Sequence, residues 1–109
     1  MKRYGMVIKL KPEKLEEYKR LHDPENHWPE VKQAIQEAGQ GNFTIFLKEN
    51  LLFGYFEYTG DDFEADMTKL SEKPIIKKWL ALTDPCQEPL ETREPGEWWA
   101  YMEEIYHND

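Results

Sequence analysis

Asn42-Phe43-Thr44-Ile45-Phe46-Leu47, then Lys48-Glu49-Asn50, then Leu51-Leu52-Phe53-Gly54-Tyr55-Phe56-Glu57-Tyr58, reads as two strands joined by a tight connection. In the first run Phe43, Ile45 and Leu47 fall on one side, the period-two alternation of a strand with one buried face. The polar step between the runs is of hairpin type, so the strands are antiparallel neighbours. The hairpin sits at the middle of the chain, and what flanks it decides the architecture.

Toward the N-terminus, Trp28-Pro29-Glu30 opens a helix with the stripe Val31, Ala34, Ile35 and Ala38, and Gly39 stops it. Before it, residues 12–21 read as another helix, started at Pro12 and ended by Asp23-Pro24. Residues 4–10 alternate, with Tyr4, Met6, Ile8 and Leu10 on one face and Gly5, Val7 and Lys9 on the other. Toward the C-terminus, Asp61-Asp62-Phe63-Glu64 has a capping-box pattern, and Phe63, Met67 and Leu70 form the stripe of a third helix. Pro74 opens a fourth, with Ile76, Trp79, Leu80 and Thr83 on one face.

Residues 84–97 carry Pro85, Pro89, Pro95 and Gly96 and read as a long irregular loop, either a pocket wall or a stiff wrap around the fold edge. Residues 98–107 alternate as a last strand. The order is βαββαβ with each helical crossover broken in two. It predicts an α+β, ferredoxin-like sandwich over residues 1–109 as one domain, with a four-stranded antiparallel sheet and helices on one face. Apolar residues on the other face predict a homodimer closed sheet against sheet.

The formal net charge of −8 argues against nucleic acid and anionic membrane surfaces as partners, since both require basic patches. No apolar run approaches a membrane span, and Met1-Lys2-Arg3 leads straight into a strand without a signal-peptide core. With Cys86 the only cysteine, an internal disulfide is excluded and a cytoplasmic setting is expected; Cys86 reads as an incidental loop residue. His27 and His107 have no ligand-type spacing to other His or Cys residues, so no metal is expected. Aromatics make up 14% of the chain, enough to serve core, interface or a sugar-stacking pocket, and composition does not choose among these.

The chemistry-bearing pair is Tyr18 and His22, four residues apart at the end of the first helix and so on one face of it. They offer one patch a phenol and an imidazole that titrates near neutrality. The plain alternative is a core stripe of Leu15, Tyr18 and His22 with a polar lower end.

The run Tyr18-Lys19-Arg20-Leu21-His22-Asp23-Pro24, followed by Trp28-Pro29-Glu30, resembles the L-rhamnose mutarotase family. The segments 41–47, 51–53 and 102–107 match its later strands. The resemblance implies a dimeric α+β fold that interconverts the anomers of a 6-deoxy-L-sugar without cofactor or metal. It puts His22 on the acid/base histidine and Tyr18 on a substrate-binding tyrosine. Phe43 stands where the family has a pocket tyrosine, and Lys78-Trp79 where it has tandem tryptophans. Gly96-Glu97-Trp98-Trp99 looks more like a branch associated with L-fucose, so both sugars stay open, and Trp98 or Trp99 is expected to reach the pocket or interface.

Anomer exchange needs a proton taken from the anomeric hydroxyl and one delivered to the ring oxygen, which histidine can do at its ordinary pKa. The C-terminal end of the helix dipole is expected to favour the protonated form of His22. A noncatalytic sugar-binding or structural dimer, or a small cofactor-free oxygenase on the same plan, fits the fold as well.

Overall fold

The computed structural model describes residues 1–109. Strand β1 (Lys2–Leu10) leads through a 3₁₀ turn at Pro12–Lys14 into α1 (Leu15–Leu21). Then follow α2 (Pro29–Glu37), β2 (Gln40–Lys48), β3 (Leu51–Tyr58), α3 (Phe63–Glu72) and α4 (Pro74–Thr83). A second 3₁₀ turn, Asp84–Cys86, precedes β4 (Gln87–Glu88) and β5 (Ala100–Met102). This is the expected ferredoxin-like α+β order, with an antiparallel sheet in the order β2-β3-β1-β4. No helix is long and apolar enough to cross a membrane.

The central hairpin turns on Glu49 and Asn50, both with positive φ (53° and 61°), and Lys48 pairs with Leu51 across it. Two consecutive left-handed residues give the turn whose twist suits a two-residue hairpin. In β3, Leu52, Gly54, Phe56 and Tyr58 face the core, as strict alternation requires. Gly54 is opposite Met6, and a Cβ there would come within 2.8 Å of the Met6 methyl, so the thioether packs flat on the sheet only because position 54 is bare. Burial of side chains such as Phe56, Ile8, Leu10 and Leu52 contributes about 1.5–3 kcal/mol each and holds the helices to this face.

Three expectations change. The last strand is three residues long, and the fourth lane of the sheet is shared: β4 pairs with Lys9 and Leu10, β5 with Gly5 to Val7. Residues 101–107 are exposed and the pairing ends at Met102, so period two alone misread the segment. The cap of α3 is Asp62, whose carboxylate accepts from the Ala65 amide at 3.1 Å; the third position is then Ala65, not Glu64, and no reciprocal box forms. Cys86 is 1% exposed and packs with Ile8, Leu10, Tyr18 and Leu52, so it is a core residue, and burial pushes its thiol pKa up.

Candidate active site

A cleft of about 1210 Å³ opens between the core face of the sheet and the helices. Its floor is Met6, Ile45 and Phe56, and its walls come from the four helices and from the segment after α4. The irregular stretch is therefore a pocket wall in part, contributing Asp84, Gln87, Gly96 and Glu97.

Tyr18 and His22 both line this cleft, one turn apart, with ring centroids 4.3 Å from each other and planes tilted by 35°. Leu21 on the adjoining face packs against Val31, Ala34, Ile76 and Trp79, and this fixes the rotation of α1 that aims the pair inward. His22 is the C-terminal cap of α1. Its Nδ1 lies 2.7 Å from the Tyr18 carbonyl oxygen. A carbonyl only accepts, so Nδ1 carries the hydrogen and Nε2 is left with a free lone pair. Burial lowers the His22 pKa below its ordinary 6.5; the bond to the Tyr18 carbonyl works the other way, and neighbouring His27 lowers it further. The dipole argument from sequence thus loses to desolvation, and the imidazole is neutral at pH 7.

Tyr18 is 5% exposed, and burial above all pushes its pKa well up, so its phenol stays protonated. Trp79, also buried, presents its edge to His22 (centroids 5.3 Å, 73°) and to His27 (5.0 Å, 77°). Trp28 packs edge-to-face with Trp79 at 5.3 Å, so the Trp-Pro-Glu segment supports the pocket wall. Phe43 lines the cleft, 37% exposed, its ring stacked over Phe56 at 6.0 Å. Lys78 does not join them. It is exposed and lies outside the cleft, because one step along α4 from Trp79 turns a side chain by about 100°.

Trp98 and Trp99 both line the cleft, just before β5 begins at Ala100. Three further residues escaped the sequence reading. His27 was weighed only as a metal ligand, yet its ring is 6.2 Å from that of His22 in the same cleft, and burial lowers its pKa. No third His, Cys, Asp or Glu joins the two histidines in a cluster suited to a metal ion. Asp84 lines the cleft, and burial raises its pKa. Gln87 is 4% exposed and hydrogen-bonded to Tyr18. Loop positions without periodicity carry no signal for such contacts.

The arrangement is an aromatic-walled cleft holding one oriented base beside one phenol, suited to proton transfer on a polyhydroxylated ligand with an apolar face. Similarity to known proteins agrees. A family model described as L-rhamnose mutarotase matches residues 3–108. The L-rhamnose mutarotase of Lactiplantibacillus plantarum is 34% identical over 110 residues, covering 100% of both chains. The crystal structure of an L-rhamnose mutarotase from Formosa agariphila superposes with a TM-score of 0.76 at 26% identity, covering 100% of both chains. A polyketide cyclase, tetracenomycin F2 cyclase of Streptomyces glaucescens, has the same fold (TM-score 0.74) at 15% identity, covering 100% of this chain and 98% of its own, so fold alone leaves the chemistry open. The match over the full length, on a cleft built around Tyr18, His22 and Trp79, decides the matter: the chain belongs to the L-rhamnose mutarotase family.

Proposed function

We propose that this protein interconverts the α and β anomers of L-rhamnose, with His22 as the acid/base residue. The observation that carries this reading is the hydrogen bonding of His22: Nδ1 is tied to the Tyr18 carbonyl at 2.7 Å, which leaves Nε2 as the acceptor of a ring that lines the cleft. Nε2 takes the proton of the anomeric hydroxyl and delivers it to the ring oxygen as the bond from C1 to that oxygen breaks. The open aldehyde turns about the C1–C2 bond, and the same steps in reverse close the ring on the other face. Tyr18, kept protonated, donates a hydrogen bond to the sugar. Phe43 and Trp79 lie against its apolar face and methyl group. Catalysis of this kind contributes about 10²–10⁴-fold, enough for a reaction that already proceeds in water.

L-Fucose is the second sugar to test, because Phe43 supplies a ring without a hydroxyl. An apolar wall discriminates weakly between isomers, whereas a hydroxyl matched to a sugar hydroxyl discriminates strongly. Saturation-transfer NMR across a panel of deoxy sugars should give accelerated exchange for L-rhamnose, and Phe43→Tyr should change the L-rhamnose to L-fucose rate ratio. An unchanged ratio removes Phe43 from sugar selection. Binding without exchange in the wild type would favour a noncatalytic module.

The proposal includes a homodimer in the cytoplasm. The sheet face away from the helices leaves Phe46 64% and Met102 43% exposed, beside half-buried Val7, Phe53 and Tyr55. Ile105 and Tyr106 in the tail are 87% and 78% exposed. Apolar surface of this extent favours a second copy over water. Light scattering should give twice the 13.1 kDa chain mass at micromolar concentration; a stable monomer would contradict the dimer.

A further inference from the structure

Tyr18 is held at its hydroxyl by a chain of two hydrogen bonds from outside α1. Trp98 Nε1 lies 2.7 Å from Gln87 Oε1, and Gln87 Nε2 lies 3.0 Å from the Tyr18 hydroxyl. Indole nitrogen is a donor only, so it fixes which end of the amide faces it. The Gln87 oxygen must accept from Trp98, and the amide nitrogen must then face Tyr18. That nitrogen has no lone pair to offer, so the Tyr18 oxygen accepts and its own hydrogen is turned away from Gln87. No protein group accepts that hydrogen, and Tyr18 lines the cleft.

The position of Gln87 is itself fixed. It is 4% exposed and sits on β4, paired across to Leu10 of β1. A buried amide with both ends satisfied does not turn over at low cost, since a flipped one would oppose two donors at Trp98 and leave the amide oxygen to take the Tyr18 hydrogen.

We propose that Gln87, oriented by Trp98, is a positioning residue that forces the Tyr18 hydroxyl to act as a hydrogen-bond donor into the cleft. The inference rests on the mutarotase reading and extends it. A pyranose ring oxygen carries no hydrogen and can be held only by a donor, while the anomeric hydroxyl must meet an acceptor. Tyr18 supplies the first and His22 Nε2 the second, side by side. The wall segment after α4 therefore sets the polarity of the site, although neither Gln87 nor Trp98 needs to reach the reacting atoms.

Gln87→Glu tests this, because a carboxylate of the same shape accepts from both Trp98 and Tyr18 and so draws the phenolic hydrogen out of the cleft. Anomer exchange of L-rhamnose should fall about tenfold in kcat/KM, the scale of one oriented hydrogen bond, as in Tyr18→Phe. In the Gln87→Glu/Tyr18→Phe double variant the losses should not multiply: it should match Tyr18→Phe alone within about twofold. Trp98→Phe, at a side chain 41% exposed, is the companion variant should Gln87→Glu fold poorly. It frees the amide to turn and should cost a few-fold, again with no further loss on top of Tyr18→Phe. Wild-type kcat/KM in folded Gln87→Glu, or losses that multiply with Tyr18→Phe in either series, would overturn the positioning role while leaving the mutarotase reading intact. Absence of exchange in the wild type would overturn the reading and the positioning role together.

Discussion

His22→Asn should cut L-rhamnose anomer exchange by about 10²–10⁴-fold, toward the rate in buffer, with the fold retained. The loss is large because the Tyr18 carbonyl holds Nδ1 and leaves Nε2 as an acceptor on a ring 4.3 Å from that of Tyr18, and an Asn amide neither gains nor loses a proton near neutrality. Tyr18→Phe should cost less, about tenfold, since it removes one hydrogen bond and not the proton carrier. The alternative, in which Tyr18 and His22 are simply the end of a core stripe, makes the opposite forecast. His22→Asn would then lower Tm and spare the rate per folded molecule. Tm and exchange rate measured on the same two variants separate catalysis from packing, and full activity in folded His22→Asn would remove His22 from the mechanism.

Trp79→Ala should have the largest effect on stability. The indole is 6% exposed, belongs to the cluster of Leu21, Val31, Ala34 and Ile76, and touches the rings of His22, His27 and Trp28. Truncating a buried tryptophan costs about 3–5 kcal/mol, a large part of the 5–15 kcal/mol that holds a domain together. At about 4–8 °C per kcal/mol for a domain near this size, Tm should fall by more than about 12 °C. Trp79→Phe, which keeps a ring in contact with His22, should lose about half as much. The check is thermal unfolding followed by circular dichroism at one fixed protein concentration, so that dimer dissociation does not enter the comparison. A fall of under 3 °C would mean that the tryptophan carries little of the packing between α2 and α4.

Much of the architecture was legible because it is written in periods. The hairpin between residues 47 and 51, the inward set Met6, Ile8 and Leu10, and the stripes through Val31 and Ala34 and through Ile76 and Trp79 all follow from spacing two or three to four. The end of the chain was not legible for the same reason. Residues 98–107 alternate, but the segment reaches the sheet only for Ala100–Met102, and Trp98 and Trp99 both line the cleft. Tyr18, His22, Phe43 and Trp79, named from the family resemblance, all line the one cleft, whereas Lys78, named beside Trp79, is exposed and lies outside it. Gln87 and Asp84 could not be found that way. Their roles depend on where a proline-rich stretch folds back, which is a tertiary fact with no local pattern. The balance of forces on His22 was also beyond the sequence: its place at a helix C-terminus argued for a raised pKa, and burial in the aromatic cluster reversed the sign.

The most direct test is the rate of L-rhamnose anomer exchange by the wild-type protein, measured by saturation-transfer NMR as a function of pH. The working form of His22 is the neutral base, and burial holds its pKa below the ordinary 6.5. Exchange above the buffer rate should therefore persist at pH 7 and down through pH 6.5, then fall as the imidazole takes a proton at Nε2. The acid-side fall should be missing from the residual rate of His22→Asn. A wild-type rate no higher than that of buffer across the whole range would contradict the account.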